Sequence, residues 1–132
     1  MSLREGGVVV VMRERRFLMI QRALGILAPG SWCFVGGGIE EGETHEQAVV
    51  REFREEVGGV VTPVRKLWTS APSATLRLHW WLAKLEHCEL CANPAEVQAL
   101  RWCSRDEIAL LPDLLESNSL FLREFPTLEG NS

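Results

Sequence analysis

The segment from Gly36 to Gly59, GGGIEEGETHEQAVVREFREEVGG, constrains the fold more than any other part of the chain. Thr44 and Gln47 have the spacing of an S/T-x-x-E/Q capping box, and Glu43 stands just ahead of the positive end of the helix that such a box opens. Val49, Phe53 and Val57 recur at i, i+4 and i+8 and give that helix one buried stripe. Gly58-Gly59 stops it. A glycine-bounded helix with a single apolar stripe must lie against a layer that the rest of the chain supplies.

That layer reads as strands. Gly7 to Met12 (GVVVVM) and Phe17 to Gln21 (FLMIQ) are apolar runs joined by Arg13-Glu14-Arg15-Arg16, the pattern of a hairpin. After a loop from Leu24 to Gly30, a third strand runs from Ser31 to Val35. Val60 to Ser70 and Ala74 to Leu85 flank a turn expected at Ala71-Pro72-Ser73, and Gln98 to Cys103 is the last strand. In the Ala74–Leu85 run, Leu76, Leu78, Trp80 and Leu82 share one face, and Arg77, His79 and Trp81 share the other. Ser104 and Glu107 form a second capping box, and Leu114 to Phe125 is expected as the terminal helix. Strands with one early and one or two late helices imply an α/β layer fold with a mixed β-sheet.

With 132 residues, 46% of them hydrophobic, the chain suits one domain over 1–132. Residues 1–6 and 128–132 are expected to be loose or tag-like. The formal charge of −4 argues against general nucleic-acid binding. The longest apolar run, Val8 to Met12, is far short of a membrane span, and no secretory signal opens the chain, so a reducing cytoplasm is expected. Cys33 and Cys103 fall in apparent strands and read as buried thiols. Cys88 and Cys91 form a CxxC that could be half of a zinc site, but no second ligand pair stands at suitable spacing.

The stretch REFREEVG, Arg51 to Gly58, breaks two electrostatic rules. Glu52, Glu55 and Glu56 fall within a sector of about 100°, where like charges at i+3 and i+4 repel. Two of them also sit at the helix end that carries partial negative charge. One reading is a solvated face with Arg–Glu pairing. The other is a cation site: glutamate oxygens with a carbonyl from the glycine run are the hard ligands that magnesium or manganese prefers. A divalent ion inverts the local electrostatics, keeps waters and binds substrate phosphates, which points to water attacking a phosphoryl group.

Gly37-x5-Glu43-x7-Arg51-Glu52-Phe53-x-Glu55-Glu56-x-Gly58 resembles the Nudix box at every position but the last, where Gly59 replaces a hydrophobic residue. Val35 also stands where a proline often precedes the glycine pair. The resemblance, to MutT-type Nudix hydrolases, covers about the whole chain and implies an α/β/α sandwich. It implies that Glu52, Glu55, Glu56 and the Gly36 carbonyl hold Mg2+, with Mn2+ as a substitute, and that Glu52 is in some members the general base instead. Arg51 would hold a glutamate and pair with Glu43, and Glu96 would be the late-loop base or ligand, against a reading as a solvated loop acid.

The box does not name the substrate, a small-molecule nucleotide. The chain has no tyrosine, which sets it apart from the dinucleoside-polyphosphate enzymes, and Pro72 matches the ADP-ribose enzymes only loosely. Size favours cleavage of a (deoxy)nucleoside triphosphate to monophosphate and pyrophosphate. The alternatives are an ADP-ribose or nucleotide-sugar pyrophosphatase and a non-catalytic nucleotide-sensing module. Arg77, His79 and Trp81 could form a platform for the base, against a core reading of Trp81, and Asn118 could read a base edge. No nucleic-acid polymer and no membrane are expected as partners, and a homodimer is compatible with the sequence.

Overall fold

The computed structural model describes residues 2–86 and 89–128. Six strands form one mixed sheet: β1 (Arg4–Arg13), β2 (Arg16–Arg22), β3 (Trp32–Gly38), β4 (Val61–Ser73), β5 (Leu76–Leu85) and β6 (Val97–Cys103). Their order across the sheet is β4-β5-β1-β3-β2-β6. β1 and β5 run parallel, and the other neighbours run antiparallel.

Alternation along the strands sends side chains to two cores. On one face Val9, Val11, Leu18, Ile20 and Val35 pack against Val49, Phe53 and Val57 of α1 (His45–Val57), the stripe expected for that helix. On the other face α2 (Arg105–Ala109) and α3 (Glu116–Glu124) contribute Ile108 and Phe121. There the Phe121 ring stacks on Trp80 at 4.7 Å, and Phe34 meets both edge-on at 5.5 and 5.9 Å. The result is the expected α/β/α sandwich. Cys33 and Cys103 are buried thiols, and burial pushes the Cys33 pKa up to about 11. Cys91 is exposed, whereas His87 and Cys88 lie outside the described residues.

Two boundaries differ from the sequence reading. The amino terminus is not loose from Arg4 onward: Arg4, Glu5 and Gly6 pair with Leu76, Arg77 and Leu78 of β5. Gly6-Gly7 looks like a break but permits close packing, since a Cβ on Gly6 would lie 2.9 Å from a Leu78 methyl. The turn expected at Ala71-Pro72-Ser73 is strand instead, and the chain reverses at Ala74-Thr75. A register shift between Ser70 and Ser73 absorbs Pro72, which has no N–H to give the ladder. Near the other end Leu128 packs on the Phe121 core, and 129–132 lie outside the described residues.

Candidate active site

Both ends of α1 are fixed locally. Thr44 Oγ1 accepts from Gln47 N at 3.1 Å, and Gln47 Oε1 accepts from Thr44 N at 2.9 Å, completing the capping box. Gly58 closes the helix in the left-handed region at φ 69°, donating its N–H to the Arg54 carbonyl. With the stripe buried, Glu52 and Glu56 are drawn partly under the helix, at 7% and 6% exposure, while Glu55 stays open.

Arg51 ties the site together. Its Nε and Nη2 donate to the two oxygens of Glu43 at 2.7 and 2.9 Å, a bidentate pair. Nη1 donates to Glu52 at 2.8 Å and to Glu55 at 3.2 Å, and Nη2 also donates to the Gly38 carbonyl at 2.8 Å. Glu43 in turn accepts from the Glu40 N–H at 2.9 Å, which folds the loop back on itself. The Arg51 guanidinium and that backbone bond hold the Glu43 carboxyl down to about 2. The same Glu43 pair raises the Arg51 pKa further.

Glu56 is in the opposite situation. Burial is the main cause that pushes it up to about 9, with a hydrogen bond to Glu52 and the charges of Glu52 and Glu96 adding to it. Glu96 is brought to this cluster by its loop, where Asn93 N donates to the Glu56 carbonyl at 2.8 Å and Ala23 N to the Glu96 carbonyl at 2.9 Å. Gly37 faces the Glu52 carboxylate so closely that a Cβ there would lie 2.3 Å from it. The glycine is therefore the cradle for that carboxylate.

Among the described residues, no group of three His, Cys, Asp or Glu side chains forms a ready-made metal cage. The donor set nevertheless fits a hard divalent cation. Two buried carboxyls, Glu52 and Glu56, share a hydrogen bond, the Glu96 charge acts on Glu56, and Glu55 shares the Arg51 guanidinium with Glu52. Magnesium needs only one or two protein carboxylates, since waters and phosphates complete its shell.

Beside the cluster lies a cavity of about 1000 Å3. The glycine run Gly36–Gly38 and Glu43 line one end, and Phe34, Leu78, Trp80 and Asn118 line another part of the wall. Asn118 is buried, its Oδ1 accepts from the Phe34 N–H at 3.0 Å, and its Nδ2 has only long contacts of 3.3 and 3.4 Å. The structure thus brings Gly36, Glu43 and Asn118 to one cavity.

Arg77, His79 and Trp81 are elsewhere, on the α1 side of β5. His79 is 5% exposed; its Nδ1 takes a bond from Lys66 Nζ and its Nε2 one with Glu5, both at 2.9 Å. The ammonium can only donate, so His79 carries its proton on Nε2 and gives it to Glu5. Arg77 lies 3.9 Å from the same carboxylate, and Trp81 packs against the α1 core. The cavity takes the Leu76, Leu78 and Trp80 face of this strand. Sequence reasoning also missed Arg22, a cavity-wall residue whose charge acts on both Cys33 and Glu56. Its one signal was a cation closing the apolar run of β2.

Comparison with known proteins agrees with this geometry. The chain is 34% identical over 115 residues to the CTP pyrophosphohydrolase of Escherichia coli K12, covering 85% of this chain and 84% of that protein. It is 44% identical over 96 residues to the RNA pyrophosphohydrolase of Actinobacillus succinogenes, covering 73% of this chain but only 45% of that one. The crystal structure of a MutT NUDIX hydrolase from Burkholderia pseudomallei superposes with a TM-score of 0.78 at 25% identity, over 95% of this chain and 99% of the other. The family model of the NUDIX domain matches residues 3–125. The protein is an enzyme of the Nudix family, which cleaves pyrophosphate linkages in nucleotide derivatives with the help of divalent metal ions.

Proposed function

We propose that the substrate is a (deoxy)nucleoside triphosphate, cleaved to monophosphate and pyrophosphate with magnesium as the ion and manganese as a substitute. The observation that carries this reading is a complete acid set, tied through Arg51, beside a cavity large enough for a nucleotide and walled by Asn118. The name of the E. coli relative, a CTP pyrophosphohydrolase covered over most of its length, supports the same class.

Glu52, Glu55, Glu56 and the Gly36 carbonyl would hold the ion. When bound, it supplies charge to the phosphate oxygens and lowers the pKa of water. Arg51 fixes the angle of Glu52 while Glu43 fixes Arg51, so the glycine loop and the helix move as one piece. Glu52 has oxygens engaged by Arg51 and Glu56, whereas no side-chain hydrogen bond holds Glu96 among the described residues. This supports Glu96, over Glu52, as the residue that would take a proton from water. Asn118 Nδ2 would offer a donor to an acceptor on the base, and Arg22, in the cavity wall with its charge acting on Glu56, would meet the phosphates.

The test is a magnesium-supplemented panel of dNTPs, NTPs, ADP-ribose and nucleotide sugars, run on the wild type and on Glu55→Gln. Turnover of triphosphates, reduced by several orders of magnitude in the variant, is expected. Turnover of ADP-ribose or a nucleotide sugar without triphosphates would reject the substrate class, and tight binding with no turnover would leave a sensing module.

A further inference from the structure

His79 is buried with both ring nitrogens engaged, and neither of its hydrogen-bond partners is a core residue. Lys66 on β4 donates to Nδ1, and Nε2 donates to the Glu5 carboxylate on β1. That bond is the main cause holding the Glu5 carboxyl below the usual carboxylate range. The imidazole also meets a third element, since the His45 ring lies against it at 3.9 Å between centroids and 31° between planes. One side chain of β5 thus touches β1, β4 and the first residue of α1. A histidine that only filled the core would not need partners from three other elements.

Two of those contacts bracket the loop that carries Glu43. The loop leaves β3 at Gly38 and enters α1 at His45. At its start the Ile39 N–H donates to the Glu5 carbonyl at 2.9 Å, next to the pairing of Gly6 with Gly38. At its end, directly after the Thr44 cap, His45 is stacked on His79. Both ends of the 39–44 loop therefore rest on the Glu5–His79 pair. Between them Glu43 holds Arg51, and Gly38, just ahead, gives Arg51 its carbonyl at 2.8 Å.

The glycines nearby explain why such a clamp is needed. Gly6 and Gly7 follow Glu5, and they pair with Gly38 and Gly37. Glycine loses more conformational freedom on ordering than any other residue, and it has no side chain to pack. These positions cannot gain one cheaply. A Cβ on Gly36 would lie 2.5 Å from the Gly7 carbonyl, and Gly37 is filled by the Glu52 carboxylate. The close approach that admits Glu52 thus leaves this end of β1 and β3 short of side-chain contacts, and Glu5 with His79 supplies the hold.

We propose that His79 is a positioning residue of the reaction: through Glu5 and His45 it clamps both ends of the 39–44 loop, and so sets the Glu43–Arg51 pair that orients Glu52. This rests on the reading of Glu52 and its neighbours as the metal end of the nucleotide site.

The test compares wild type with His79→Leu, His79→Gln and Glu5→Ala. Leucine fills the buried site without either bond, whereas glutamine can accept from Lys66 and donate to Glu5. The Glu5 side chain is 41% exposed, so its truncation leaves the core intact. Amide hydrogen exchange is read first, by NMR, without metal or nucleotide. In His79→Leu and Glu5→Ala the Ile39 amide is expected to exchange at least tenfold faster, beyond any change at Val10, whose amide reports global unfolding. Long-range nitrogen–proton spectra of the wild type should show the His79 proton on Nε2. Turnover is then measured on whichever nucleotide of the panel the wild type cleaves fastest. His79→Leu should lose at least tenfold in kcat with KM within threefold, and His79→Gln should return to within threefold of wild type. Ile39 exchange that only tracks Val10 in both variants overturns the proposal. So does a leucine variant as active as the glutamine one, or a His79 proton on Nδ1. A wild type inactive on every triphosphate refutes the proposed substrate, while the exchange result still decides the clamp.

Discussion

Replacing Glu56 by glutamine should stabilise the metal-free protein at neutral pH while abolishing turnover. The native carboxyl is held up to about 9 by burial and by Glu52, against an ordinary value near 4.5. Between those two values the native state holds a proton that the unfolded chain has released, so this group's contribution to stability declines as pH rises. The decline is steepest between those values, where one bound proton makes it on the order of 1 kcal/mol per pH unit. His45 works against this trend in the same range. Burial beside His79 and Lys66 lowers its pKa, so it stabilises above 6.5 and loses that contribution as pH falls. The observable is therefore the difference between wild type and Glu56→Gln, measured by urea unfolding in chelator at pH 5.5, 6.5 and 7.5. The variant should gain on wild type with each step, and millimolar magnesium at pH 7.5 should close part of the gap for wild type alone. A difference that stays flat within about 0.5 kcal/mol across the range, well under the expected slope, would show that Glu56 is ionised in the native state and that the burial argument is mistaken.

Gly37→Ala should cost most of the activity, because its Cβ would meet the Glu52 carboxylate at 2.3 Å, and a crystal structure of the variant should show Glu52 displaced. Arg51→Lys keeps the charge but loses the bidentate pair and the bond to the Gly38 carbonyl, so kcat should fall at least tenfold and protease nicking of the 38–43 loop should quicken. Phe121→Ala removes a ring stacked on Trp80 and should destabilise by about 3–5 kcal/mol in denaturant unfolding, from the core on the side of the sheet opposite α1. The stability that Glu43 draws from its pair with Arg51 is present above pH 4.5 and is lost as pH falls toward 2. Glu43→Gln should therefore unfold at lower urea than wild type at pH 7 and the gap should close between pH 4.5 and 2, whereas a gap that does not change would refute the pair's contribution.

What the sequence made legible was whatever depends on neighbours along the chain. α1 could be placed from Thr44, Gln47 and Gly58 because a capping box and a left-handed stop are local interactions, and its stripe followed from periodicity. The acid cluster was legible for the same reason, since Glu52, Glu55 and Glu56 lie within one and a half turns of the same helix. β5 shows where this ends. Alternation separated Leu78 and Trp80 from His79 and Trp81, but which face borders the cavity depends on where α1 and α3 dock. The aromatic, polar face looked like a binding platform and proved to hold a histidine buried between Lys66 and Glu5. Asn118 was singled out as an amide, but its bond to the Phe34 N–H spans 84 residues and no local pattern encodes it. Arg22 escaped notice because its neighbours in the site, Cys33 and Glu56, come from other elements.

The middle position of β1 has a consequence for biosynthesis. Within this domain β1, with its GVVVVM run, is made before the other strands, and its antiparallel neighbour β3 follows within about thirty residues of chain. Its parallel neighbour β5 begins only at Leu76, so one edge of a very apolar strand stays open until β2, β3, α1 and β4 have all been made. Long-range parallel pairing is slow and leaves such edges available to other nascent chains. Fragments that end before Leu76 should therefore aggregate during translation, whereas those that extend past Leu85 can close the sheet centre and stay in solution.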